Sequence, residues 1–427
     1  MPQRNGLFAV AQPQWRSRAG IAVVGLAIAV RLAAVMAFPS EPHSDAADYH
    51  GLAVRIAEGR GYVTVDAAPT AVRPPGYPAF LAIVYSLLGP DPRIAYLVQA
   101  CLGGLTVAIL MWLGSQAVGH AEALIAGLLA AAYPGLVWLP RVLLSENLAL
   151  PLLLCSLCAA ARLLCTNRVS WALATGATLA LAVLTRASSA FLVLLLLLGL
   201  LISFARQAGV RRAVVITLMT ALPLSAGLLP WACRNHRVFG RGPVLTTEGG
   251  ITLYTSYWPP RVGVKPIWGN VPGREDPTVA AAAQVGNEAA VSAELAAVTV
   301  KRLVSEPGLF FSLWPEKLMW SVAPFDWEWF PRGAGKTRSL NLGYLLLLVP
   351  AVIGLRQVWT HPQKGQWLLW LLPAAVFVQT LVFYGGPRLR LPAESTLLIL
   401  SGVGLVHLNY GVSLRRGRSR ASPPAGR

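Results

Sequence analysis

AGIAVVGLAIAVRLAAVMAF, residues 19–38, carries a single charge, Arg31, in a run that is otherwise apolar. Wound as a helix, a run of this length reaches across roughly 30 Å, the hydrocarbon thickness of a bilayer. Val35-Met36-Ala37 resembles a signal cleavage site. The apolar stretch outruns a signal h-region, however, so it reads as an uncleaved anchor. Further runs follow at 93–118, 120–140, 147–165, 171–185, 187–204, 213–232, 340–355, 367–384 and 392–411. They predict about ten spans, the fifth of them short. The composition agrees: of 427 residues, 55% are hydrophobic and 13% charged, and the mean hydropathy is +0.56. These values exclude a soluble globular chain.

The net charge of +18 is not a nucleic-acid signature, because its distribution follows the spans. Basic residues gather in the N-terminal tail (Arg4, Arg16, Arg18) and in short loops (Arg162, Arg168, Arg206, Arg211, Arg212, Arg356, Lys364). The tail RRGRSR at 415–420 adds more. With an even number of spans all of these share one face, which the positive-inside rule makes cytoplasmic. Of the 18 acidic residues only Glu122 falls with them. The expected layout is a cytoplasmic tail at 1–18, a transmembrane catalytic module at 19–232 with a periplasmic loop at 39–92, a large periplasmic loop at 233–339, C-terminal spans at 340–411 and a basic cytoplasmic tail at 412–427. Cys101, Cys155, Cys158, Cys165 and Cys233 lie in or at the ends of spans. Cys155-x-x-Cys158 therefore reads as small residues packing on a membrane helix.

The outward loops hold the chemistry. In 39–92, AADYHGLAVRIAEG is amphipathic, with Tyr49, Leu52, Ala53 and Ile56 on one helical face. YPAFLAIVYSLLG is apolar but too short to span. The large loop opens with the turn-rich GPVLTTEGGITLYTSYW, which leans toward β structure. Helices are expected at 279–304 and 307–322, and an aromatic run, FDWEWF, lies at 325–330.

SDAADYHGLA, residues 44–53, places Asp45 and Asp48 three residues apart, on one side if the turn is helical. Glu146, in PRVLLSENLALP, stands at the next outward mouth. An ionisable residue at a span's edge marks a functional site more often than a surface acid does. Two such carboxylates suit a general base and its partner, or metal ligands with His43 nearby. Desolvation at a membrane-edge cleft is expected to raise the pKa of such a base. Arginines occupy the same face: Arg73 in RPPGYP, Arg186 in LTRASS, Arg234 and Arg237 in PWACRNHRVFG, and Arg388 and Arg390 in GGPRLRLPAE. Each alone is also a headgroup contact. Gathered on the face that the positive-inside rule disfavours, they fit an anionic ligand, and guanidinium forks match phosphate. An activated donor outside the cytoplasm is expected to be lipid-linked.

These pieces, in this order over 19–411, resemble the GT-C membrane glycosyltransferases, and within them the bacterial branch of glycosyltransferase family 39, akin to protein O-mannosyltransferases and the lipid A aminoarabinose transferase. The matching stretches are SDAADYHGLAVRIAEGRGY, RPPGYPAFLAIVYSLLG, LLSENLALPLLL, LAVLTRASS, PWACRNHRVFG and GGPRLRLPAE. The resemblance implies an all-α polytopic GT-C fold with amphipathic juxtamembrane helices in the inner membrane. It implies Asp45, four residues before a tyrosine, as catalytic base, and Glu146 as the second catalytic acid, orienting the acceptor or holding a cation. Asp48, Tyr49, Arg73, Tyr77, Arg186, Arg234, Arg388 and Arg390 become substrate-binding. Implied partners are a polyprenyl-phosphate sugar donor, a glycan, lipid or protein acceptor and the lipid bilayer, with no nucleic acid. No cofactor is required beyond a divalent cation that the carboxylates leave room for. Ala46 stands where the family often has a second acid, which weakens a metal built on adjacent carboxylates. The alternative reading is a transporter or flippase of lipid-linked sugars, which needs the arginines but no base. The duplicated halves and broken mid-membrane helices of transporters are not evident.

Overall fold

The computed structural model describes residues 16–240, 245–257, 277–284, 286–326, 339–362 and 365–420. Its first helix, α1 (Arg18–Ala37), is capped by the Ser17 hydroxyl, which accepts from the Gly20 amide. α2 (Asp45–Ala57) and α3 (Gly76–Leu88) follow outside the first span. α4 (Pro92–Ala117) starts on an Asp91 cap with proline in its first turn, where no amide is needed. Then come α5 (His120–Ala132), α6 (Pro134–Trp138), α7 (Glu146–Thr166), α8 (Val169–Thr185), α9 (Ala190–Ala208) and α10 (Val210–Phe239). The large loop contributes α11 (Glu248–Ser256), α12 (Pro277–Ala283), α13 (Glu288–Ser305), α14 (Pro307–Ser312) and α15 (Trp314–Val322). A two-residue antiparallel pair, β1 (Phe325–Asp326) and β2 (Ser339–Leu340), precedes α16 (Leu342–Thr360), α17 (Trp367–Val382) and α18 (Leu391–Arg420).

Each of the ten apolar runs of the sequence falls on a helix or, at 120–140, on a bent helix pair. Among the described residues, 7 helices are long and apolar enough to cross a membrane, or 8 if the bent pair α5–α6 is one span. α8, of 17 residues, and α17, of 16, are apolar but short. At 1.5 Å per residue each covers only about 25 Å. The chain is a multi-pass membrane protein.

The α5–α6 break has an identifiable cause. The helices meet at 56°, and Pro134 has no amide with which to reach the Ala130 carbonyl one turn back. The guanidinium of Arg31, only 1% exposed within α1, substitutes for it. It donates to Ala130 at 3.0 Å, to Ala131 at 3.3 Å and to Ala27 of its own helix at 2.9 Å. The intramembrane arginine is thus a cap for a broken helix.

In the bundle α5 lies between α4 and α18, α4 packs on α7, α7 on α8, α8 on α10 and α10 on α9, while α17 joins α9 to α18. α16 lies against α18 through two glycines. A Cβ on Gly354 would come within 1.9 Å of the Leu400 carbonyl, and one on Gly404 within 1.9 Å of that of Pro350. Only hydrogen fits at that crossing.

The loops gather at one end. α2 buries Tyr49, Leu52 and Ala53 as its periodicity predicts, and packs on α3. Within the stretch read as β-leaning, residues 248–256 form the helix α11, and 242–244 and 258 lie outside the described residues. Tertiary packing overrides its β-branched content, since its Gly250 lies against the Ser292 backbone of α13. The helix expected over 279–304 is divided, with α13 restarting on an Asn287 cap. The long loop is fastened to the first one by Glu288, whose carboxylate accepts from the Thr70 and Thr247 hydroxyls, both at 2.9 Å, and from the Ala71 amide. Residues 327–330 of the aromatic run, Arg4, Lys364 and the side chains of 415–420 lie outside the described residues.

Candidate active site

Asp45 is the first residue of α2. Ser44 before it has φ 52°, a left-handed conformation that costs a non-glycine residue about 1 kcal/mol or more. That turn points the chain, and with it the Asp45 carboxylate, into the gathered loops. Asp45 is 7% exposed, and each of its oxygens meets a different arginine. Oδ1 accepts from Arg73 Nη2 at 2.7 Å, and Oδ2 from Arg388 Nη1 at 2.8 Å.

The pattern continues in both directions. Arg73 Nη1 donates to both carboxylate oxygens of Glu248, each at 2.9 Å, and Nη2 also reaches Asp48 Oδ2 at 3.1 Å. The prolines after Arg73 hold its loop extended into α3, and its guanidinium lies 5.3 Å from the centre of the buried Tyr49 ring. On the other side Arg388 Nε donates to Glu146 Oε1 at 2.5 Å, and Arg186 Nη1 reaches the same oxygen at 2.9 Å. Arg186 also donates to Ser145 and Ser188. The result is a string of alternating charge: Glu248, Arg73, Asp45, Arg388, Glu146, Arg186. Its members come from α11, the loop before α3, α2, the turn before α18, α7 and the turn after α8.

This arrangement overturns the expected raised pKa of Asp45. Burial does push its carboxyl up, but the Arg388 and then the Arg73 guanidinium outweigh burial and hold it below the ordinary 3.8. Glu248 behaves oppositely. Burial is its largest influence and Arg73 only partly opposes it, so its carboxyl is pushed up.

A cavity of about 410 Å³ opens beside the string. Asp45, Tyr49, Arg73, Arg186, Glu248 and Arg388 line one side, while Phe191, Leu313, Trp320, Phe383 and Tyr384 form a largely aromatic wall that also carries Glu316 and Lys317. A charged edge against an aromatic trough suits a ligand with an anionic head and an apolar tail.

Five expected site residues are placed differently. Tyr77 is fully buried, its hydroxyl donating to Gln99 and its ring against Tyr49, so it supports the site from behind. Arg234 donates to the carbonyls of Thr70 at 2.7 Å and Tyr62 at 3.0 Å and clamps the first loop away from the cavity. Arg390 points away from Arg388. It pairs with Glu394 at 2.6 Å, donates to the Ala323 carbonyl and lies 3.8 Å from the Tyr344 ring centre. Asp48 touches Arg73 but is largely exposed and does not line the cavity. Glu146, expected to orient the acceptor or hold a cation, is 3% exposed and engaged with the Arg388 and Arg186 guanidiniums and the Ser145 hydroxyl. His43 lies at the surface beside the Glu41 carbonyl. Among the described residues no group of three or more His, Cys, Asp or Glu side chains is arranged to hold a metal. Each carboxylate of the string is already held by a guanidinium. Glu248 was missed because its segment was read as β-leaning; an acid in a loop facing Arg73 was the available signal.

Comparison with known proteins agrees with this architecture. The family model for dolichyl-phosphate-mannose-protein mannosyltransferase matches residues 72–231. Among solved structures, the archaeal oligosaccharyltransferase AglB from Archaeoglobus fulgidus, in complex with an inhibitory peptide and a dolichol-phosphate, is 12% identical with a TM-score of 0.56, covering 97% of this chain and 53% of that one. Its apo form is 13% identical with a TM-score of 0.57 and the same coverage. ArnT from Cupriavidus metallidurans, bound to undecaprenyl phosphate, is 16% identical over 96% of this chain and 82% of that one, at a TM-score of 0.41. No curated protein sequence matches. The chain has the GT-C glycosyltransferase fold. It spans about half the length of the oligosaccharyltransferase chains it matches.

Proposed function

We propose that the protein is a membrane glycosyltransferase that moves a sugar from a polyprenyl-phosphate donor to an acceptor hydroxyl of a glycan, lipid or protein on the periplasmic face of the inner membrane. The observation that carries this reading is Asp45, held between Arg73 and Arg388 at the edge of a cavity with one charged and one aromatic side. The fold supports the reaction class, and the charge distribution of the loops supports the side.

In the proposed reaction the acceptor oxygen attacks the anomeric carbon in line. The bond from that carbon to the phosphate oxygen breaks, and its electron pair leaves with the polyprenyl phosphate. The acceptor proton passes to Asp45. Two guanidiniums occupy one lone pair on each Asp45 oxygen, fixing the carboxylate and leaving it a further lone pair for the acceptor. Glu146 anchors Arg388 and Arg186, and Arg388 and Arg73 offset charge as the leaving group departs. No step is routed through a metal.

The test is transfer by the purified protein in proteoliposomes, using radiolabelled polyprenyl-phosphate sugars and membrane acceptors, with and without chelator. Labelled acceptor together with released polyprenyl phosphate is the expected result. Donor crossing the bilayer with no glycosylated product would instead identify a flippase.

A further inference from the structure

Among the described residues one cation that lines the cavity has no carboxylate within ion-pair distance. Arg73, Arg186 and Arg388 are all bound to carboxylates within the string. Lys317, from α15, lines the same cavity and is 6% exposed. Its ammonium donates to the Leu381 carbonyl at 3.3 Å and lies 3.8 Å from the centre of the Tyr257 ring. Among the described residues no carboxylate, its neighbour Glu316 included, lies within ion-pair distance of it.

What surrounds the ammonium orients it without neutralising it. Leu381 is in the last turn of α17, whose carbonyl end carries partial negative charge. Tyr257 donates its hydroxyl to the Leu381 and Val382 carbonyls, which fixes the ring that the ammonium faces. One carbonyl and one ring satisfy part of a group with three donors. A buried cation beside a cavity, with no acid to balance it, gains from an arriving anion far more than arginines that already have partners. Burial lowers its pKa to about 7, so near neutrality an arriving phosphate would favour the protonated form.

We infer that Lys317 is the phosphate-binding residue of this cavity, with the polyprenyl phosphate of the donor as its ligand. The inference rests on the donor reading given above. It adds a phosphate contact on the α15–α17 side to the charge that Arg73 and Arg388 offset as the leaving group departs. The string holds the base, and the sugar would lie between it and Lys317.

The test measures binding to the purified protein in nanodiscs of three probes: undecaprenyl phosphate, inorganic phosphate and the uncharged undecaprenol. In Lys317→Gln both phosphate probes should bind about ten- to a hundredfold more weakly, the loss expected of one charge-assisted hydrogen bond. Undecaprenol binding should not change, and Lys317→Arg should recover most of the loss. On the wild-type protein, saturating undecaprenyl phosphate should protect Lys317 from reductive methylation, while undecaprenol should not. That readout needs no variant to fold. Wild-type affinity for both phosphates in Lys317→Gln, or a Lys317 still fully methylated under the lipid phosphate, overturns the inference. If wild type binds inorganic phosphate through Lys317 but ignores undecaprenyl phosphate, the phosphate site stands and the lipid-donor reading falls.

Discussion

Asp45 and Arg388 are 343 residues apart in the chain, yet Oδ2 and Nη1 are 2.8 Å apart in space. Both side chains are nearly buried, at 10% and 13% exposure. In such surroundings a lone charge costs several kcal/mol, so removing either partner strands the other. The pairing also fixes the orientation of the carboxylate that faces the cavity.

Asp45→Asn keeps the shape while removing the basic lone pair and the charge. Sugar transfer should fall about a hundred- to ten-thousandfold, as for loss of a general base, while donor binding persists. Asp48→Asn should be much milder, because Asp48 is exposed and only supplements the contacts of Arg73. Initial rates and donor affinity for the two variants check this, and equal losses would remove Asp45 from its assigned role.

Acid should act through the same group. Asp45 is held below its ordinary value in the folded protein. Its contribution to stability is therefore present above about pH 4 and is lost as pH falls through the depressed folded value. Resistance of wild type to thermal unfolding should fall below about pH 4, and that of Asp45→Asn should fall less. By the same sign, transfer should show no acid limb between neutrality and about pH 4 that is traceable to Asp45.

Arg390→Lys separates two readings of GGPRLRLPAE. Arg390 pairs with Glu394 and bonds the Ala323 carbonyl, outside the cavity. The lysine variant should lower the melting temperature, because an ammonium cannot serve both partners from one plane. Affinity for the lipid phosphate should stay at the wild-type level. A selective loss of that affinity at unchanged stability would return Arg390 to substrate binding.

Arg31 offers a double-mutant cycle. Arg31→Leu leaves the Ala130 and Ala131 carbonyls without their donor and should cost about 1–3 kcal/mol for each group left unsatisfied. Pro134→Ala restores the amide that Ala130 lacks. In the pair the loss should be smaller than the sum of the single losses, by about 0.5 kcal/mol or more. Strict additivity, measured by thermal or denaturant unfolding in detergent, would mean that Arg31 does not cap α5.

The spans were legible because a bilayer permits few alternatives. Backbone groups must be satisfied within the segment, so an apolar run of sufficient length is a helix. The site was legible as a set of charges on one face, and Asp45, Arg73, Glu146, Arg186 and Arg388 do converge. Direction was not legible. Arg388 and Arg390 differ by two positions, and only the tight turn before α18 decides that one faces the cavity and the other Glu394. The sign of the Asp45 shift was missed for a related reason. Burial can be inferred from a loop's place, but two guanidiniums arriving from residues 73 and 388 cannot. Glu248 and Lys317 lie in the long loop, where short helices packed on one another override local preference.

Glu146, buried at the start of α7, has its two counter-ions at positions 186 and 388, both later in the chain. While α7 enters the bilayer, neither arginine has yet been made. The carboxylate must wait at the membrane surface, protonated or hydrated, until α8 and then α18 are delivered. Biosynthesis therefore completes the site only with the final helix. A chain ended before Arg388 keeps most of its spans and the Arg73–Asp45 and Arg186–Glu146 pairs, but lacks the guanidinium that joins the two halves of the string.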